Sequence, residues 1–136
     1  MGTEDTETAR RTAARGSAAL SRLQDRLGLP PESPQVLSNR GSLLLRLPAA
    51  GLVARVSTHT GAQRRDPGWW LRTEVAAGRL AQRAGVPAAL PAATVDAGPH
   101  EVDGLWVSLW EDLGDDDCTA TPEQAARALA DWHTAL

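Results

Sequence analysis

The chain opens with apolar residues at helical spacing. Ala13, Leu20, Leu23 and Leu27 fall on one stripe, which predicts an amphipathic helix over residues 9–27, closed by Gly28 and Pro30. The polar residues 1–8 before it are expected to lack structure. After a proline-rich connector (29–34) the pattern becomes that of strands. A short strand at 35–38, a turn at 38–42, an apolar strand at 43–47, a second turn at 48–51 and a strand at 52–57 follow in order. In the last of these, alternation places Val53 and Arg55 on one face and Leu52, Ala54 and Val56 on the other.

Helical spacing returns at 66–84. Asp66 suits the N-cap and Pro67 the first turn, and Gly85-Val86-Pro87 ends the helix. Glu74 lies near its middle, with Trp70 and Ala77 or Ala81 on the same side. Two further strands are expected at 90–97 and 102–110, with turns at Gly98-Pro99 and Asp103-Gly104. An acidic connector (111–120) leads to Thr121-Pro122-Glu123-Gln124, a capping box opening a last helix that buries Ala125, Leu129 and Trp132. There is no internal repeat. The predicted fold class is α+β: an antiparallel sheet of about five strands with one helix packed on it and a helix at each end.

At 136 residues the chain has the size of one domain with one modest core. Its formal charge of −3 argues against a nucleic-acid protein, which would show a basic face. All 14 basic residues are arginine, so a cation that is lysine elsewhere can stand here as arginine. The single cysteine, Cys118, excludes a disulfide framework and a cysteine-based zinc site. The start of the chain lacks the features of a signal peptide, and no apolar run approaches a membrane span, so a cytoplasmic location without membrane contact is expected. His59, His100 and His133 have no ligand spacing, and Asp112 with Asp115–Asp117 reads as a solvated acidic loop.

The candidate chemistry centres on two charges. Arg55 interrupts an apolar strand, and a buried cation there needs a carboxylate or an anion. Glu74 follows nineteen positions later on the helix. On the pattern alone the two are equally a structural ion pair between strand and helix or an anion-binding pair.

Several segments in order resemble the N-terminal lobe of the aminoglycoside phosphotransferase family, within the protein-kinase-like fold. They are Leu37-Ser-Asn-Arg-Gly41, Leu52-Val-Ala-Arg-Val-Ser57, Glu74 through Pro87, Asp103-Gly-Leu-Trp-Val-Ser-Leu-Trp-Glu111 and Leu129-Ala-Asp-Trp-His133. The resemblance covers the chain from about residue 30 onward. It divides the chain into an N-terminal tail and helix (1–29), an ATP-binding lobe (30–113), and an acidic connector with the first helix of a C-terminal lobe (114–136). It implies ATP as the bound nucleotide and a small-molecule hydroxyl compound as phosphate acceptor. Arg55 would reach the α and β phosphates, Glu74 would orient it, and Val53 would pack on the adenine. The turn of Ser38, Asn39, Arg40, Gly41 and Ser42 would cover the phosphates, although it holds one glycine and is not a glycine-rich kinase loop. The backbone near Glu111 and Leu113, in the segment joining the lobes, would meet the adenine edge.

The family's catalytic loop is His-x-Asp followed by an asparagine, with a metal-binding aspartate further on. His133 is followed by Thr134 and Ala135, so it does not start such a loop. The catalytic base and the Mg²⁺ ligands are therefore expected to be missing from these residues. A general base alone is worth about 10²–10⁴ in rate, and metal charge neutralisation adds to it. The chain is thus expected to be inactive alone, as a fragment or frameshift product. The alternative is a non-catalytic nucleotide-binding or docking module that pairs with a separate C-terminal lobe.

Overall fold

In a computed structural model, the structure describes residues 3–40, 42–58, 66–85 and 89–114, together with Glu123, Ala126, Arg127, Ala130, His133 and Thr134. The elements are α1 (Thr3–Leu27), β1 (Gln35–Arg40), β2 (Ser42–Leu47), β3 (Leu52–Val56), α2 (Pro67–Ala84), β4 (His100–Val102) and β5 (Leu105–Glu111). The fold is α+β. Its five strands form one antiparallel sheet in the order β1-β2-β3-β5-β4.

Strand alternation sorts the sheet into two faces. Leu43, Leu45, Leu47, Leu52, Ala54, Val56, Val107 and Leu109 are all buried on one of them. They join Ala19, Leu20 and Leu23 of α1 in a single apolar cluster, the main source of stability in a domain of this size. The contact is close at Gly16, where a Cβ atom would run into the Leu43 side chain. Polar contacts guide the same helix. Arg22 Nη1 donates to Asp103 Oδ1 at 2.7 Å, and Arg26 Nη1 donates to the Glu101 carbonyl at 3.3 Å.

α2 lies on the opposite face. Asp66 caps its start by accepting from the Trp69 N–H at 3.0 Å, and Gly85 ends it with a left-handed φ of 73°. It crosses β5 at two glycines. A Cβ on Gly68 would lie 2.9 Å from the Trp106 ring, and one on Gly78 would lie 3.0 Å from the Trp110 ring. Only hydrogen at these positions lets the helix approach so near.

Three expectations need correction. The helix α1 begins at Thr3, six residues before the predicted start. Acidic residues near a helix N-terminus are stabilised by its dipole, which favours Asp5 and Glu7 in the first turns, and Glu7 also lies 3.4 Å from Arg11 in an i,i+4 pair. β1 extends to Arg40, so Ser38, Asn39 and Arg40 are strand rather than turn. Residues 90–97 form no strand beyond a single bridge from Pro91 to Trp110. The Leu109 carbonyl accepts from Ala92 N–H at 3.0 Å, while the Leu109 N–H donates to the Ala97 carbonyl at 2.9 Å. The segment between Ala92 and Ala97 therefore loops away from β5, and His100–Val102 provides the edge strand instead. No helix among the described residues is long and apolar enough to cross a membrane. Gly41, His59, Cys118, Trp132, Asp115–Asp117 and most of the expected capping box and last helix lie outside the described residues.

Candidate functional site

A cleft of about 580 Å³ opens on the face of the sheet that carries α2. Its floor is built by alternation. Leu44 and Arg46 of β2, Val53 and Arg55 of β3, and Trp110 of β5 point away from the core beneath α1. The register makes rows of them. Arg46 faces Val53, which faces Trp110, and Leu44 faces Arg55, which faces Ser108. Glu74, Ala77 and Gly78 of α2 form one wall, and Leu113 and Gly114, just beyond β5, form part of the rim.

The pair anticipated from the sequence is present. Arg55 Nη1 lies 3.1 Å from Glu74 Oε2, with the two side chains 37% and 32% exposed. Arg55 Nε donates to Ser42 Oγ at 3.2 Å. These contacts use two of the five N–H donors of a guanidinium, a planar fork able to bridge a carboxylate and an anion. A pair this open contributes only about 0–1 kcal/mol to folding. Its orientation toward an apolar cleft is therefore its more informative property.

Val53, Arg55, Glu74, Glu111 and Leu113, all singled out in the sequence, line this one cleft. The hairpin residues divide. Ser42 is buried beside Arg55, but Asn39 turns to the other side, where its Nδ2 donates to the Ala9 carbonyl of α1 at 3.3 Å. Asn39 is thus not brought to the cleft. Arg40 is the last residue of β1, paired with Ser42, and Gly41 lies outside the described residues. At Glu111 the N–H donates to the Leu90 carbonyl at 2.8 Å, and Oε1 accepts from Ala93 N–H at 3.1 Å. The N–H of Glu111 is therefore committed within the protein.

A second ion pair in the cleft escaped sequence reasoning. Arg46 Nε lies 3.0 Å from Asp112 Oδ2, with each side chain only 16% exposed. The alternation that marks Arg55 also marks Arg46, two residues past Leu44, and would have found it had residues 43–47 not been read as uniformly apolar. Asp112 was grouped with the acidic run after it, yet it is half-buried and held in place. Trp110 is also better defined here than in the sequence, since its Nε1 donates to Ser108 Oγ at 3.0 Å beneath α2.

Among the described residues no cluster of three or more His, Cys, Asp or Glu side chains could hold a metal ion. His100 belongs to β4, and its Nε2 lies 2.7 Å from the Asp96 carbonyl. The cleft thus offers an arginine beside a carboxylate at one end, apolar walls between, and a second arginine–carboxylate pair at the rim. Comparison of the chain with protein-family models, with curated proteins and with solved structures finds no match.

Proposed function

We propose that this chain is the nucleotide-binding lobe of an ATP-dependent small-molecule phosphotransferase of the aminoglycoside phosphotransferase type, acting in the cytoplasm. The observation that carries the reading is the Arg55–Glu74 pair, set in an apolar cleft between a central strand and a packed helix. A cleft of about 580 Å³ falls within the range of small-ligand sites. Arg55 would hold the phosphates, with Glu74 fixing its position. Val53 and Trp110 would receive the base. The one carboxylate in this set, Glu74, is engaged by Arg55, so the reading expects nucleotide binding without phosphoryl transfer by this chain alone.

The test is thermal unfolding with and without millimolar Mg-ATP. A ligand that binds the folded state raises the midpoint, and at about 100 times its dissociation constant it adds about 2.7 kcal/mol. The wild-type midpoint should rise, and that of Arg55→Gln should not. An unchanged wild-type midpoint removes the reading.

A second reading is a docking module for a separate C-terminal lobe. It is favoured by Leu113, which is 66% exposed at the cleft rim next to apolar surface. Sedimentation of the purified chain tests it: self-association that Leu113→Ser relieves supports an adhesive rim, and a monomer at all concentrations opposes it.

A further inference from the structure

We propose that Arg46 and Asp112 are positioning residues for the base-binding end of the cleft. They tie β2 to the turn after β5 and thereby hold residues 112–114 in the shape that presents Leu113 to a nucleobase. The proposal rests on the nucleotide reading above.

Asp112 is held in three ways. Its N–H donates to the Gly51 carbonyl at 2.9 Å, its Oδ1 accepts from Gly114 N–H at 2.9 Å, and its Oδ2 lies 3.0 Å from Arg46 Nε. One carboxylate thus shapes its own turn and anchors that turn to a different strand. Here the chain leaves the sheet, with Glu111 the last residue of β5 and Gly114 at a left-handed φ of 80°.

The register separates two functions. Arg55 belongs to the row with Leu44 and Ser108, and Arg46 to the row with Val53 and Trp110. Same-face rows two residues apart lie about 7 Å from each other. Each row carries one arginine, but the two differ in access. Arg55 is 37% exposed and open to an anion, whereas Arg46 is 16% exposed behind Asp112. A neutralised arginine beside an apolar floor suits an uncharged base, and a more open one suits phosphate.

The experiment uses the full chain and the variants Asp112→Ala, Asp112→Asn and Arg46→Met. Two quantities are read: amide exchange at residues 112–114 without ligand, and affinity for Mg-ATP and for inorganic tripolyphosphate. Asp112→Ala and Arg46→Met should speed exchange in the turn by about tenfold while leaving β3 protected. They should weaken Mg-ATP by about tenfold and leave tripolyphosphate unchanged. Asp112→Asn keeps an acceptor for Gly114 N–H and should fall between, and it carries the comparison if the alanine variant does not fold. Unchanged exchange, or equal weakening of both ligands, overturns the proposal while the nucleotide reading stands. A wild-type chain that binds tripolyphosphate but gains nothing from the base also overturns it. A wild-type chain that binds neither ligand overturns both readings.

Discussion

Arg55 owes its place to the two-residue period of a strand. With Leu52, Ala54 and Val56 committed to the core, position 55 must face the cleft. Glu74 meets it from a helix nineteen residues further on. Because both side chains are about one-third exposed, Glu74→Gln should shift unfolding free energy by no more than about 1 kcal/mol in urea titrations. The same variant should weaken Mg-ATP by about tenfold in calorimetry, because Arg55 loses the group that orients it. A large loss of stability with unchanged affinity would mark the pair as structural. The pair was legible because a charge inside an apolar strand is conspicuous. Arg46 stands in the same kind of apolar strand, but its pairing with Asp112 leaves no local trace, since the two lie far apart in sequence. Asp112 looks like the start of a solvated acidic run, and only the folded chain shows Arg46 reaching it.

Among the elements, α2 was the most readable, because Asp66, Pro67 and Gly85 are strong boundary signals and the apolar period between them is regular. The weakest reading was the strand at 90–97. Its composition suits a strand, but Pro91 cannot donate to a ladder, and Leu109 takes its two partners from separate points, Ala92 and Ala97. That choice depends on tertiary pairing and leaves no local trace. The packing of α2 on β5 yields a further prediction. Gly78→Val should destabilise the protein by about 1–3 kcal/mol, because its Cβ alone would lie 3.0 Å from the Trp110 ring and 3.1 Å from Pro91, and its two methyl groups add to that crowding. The control Arg79→Ala, on the exposed side of α2, should stay within about 0.5 kcal/mol, and a similar loss in both variants would count against the close contact. Equilibrium denaturation followed by tryptophan emission reads both.

For the whole molecule, the sheet acts as a partition between a dry side under α1 and an open side bearing the cleft. The class of the fold was readable because the change from helical to strand period and back is clear. The extent of α1 was not, because its first turns are polar and are held by contacts such as Asn39 to the Ala9 carbonyl. Leu20 is fully buried between α1 and the sheet, so Leu20→Ala should cost about 2–5 kcal/mol. That is a large share of the ~5–15 kcal/mol typical of a domain. Circular dichroism and tryptophan fluorescence, to which Trp106 and Trp110 on the other side of the sheet contribute, should report one shared, lowered midpoint. Separate midpoints would mean that the two sides melt independently.

The two glycines of α2 bear on what the chain can tolerate in length. From Gly68 to Gly78 the helix rises about 15 Å, and from Trp106 to Trp110 the strand advances about 13 Å, so the two notches keep step with the two rings. Glu74 is placed between the notches. Substitutions on the outer surface of this stretch can be absorbed where they occur, but an inserted or deleted residue turns everything beyond it by about 100°. An insertion before Glu74 swings the carboxylate away from Arg55, and one after it drives a side chain into the seat that Gly78 occupies. Between these glycines the chain can vary in spelling but not in count.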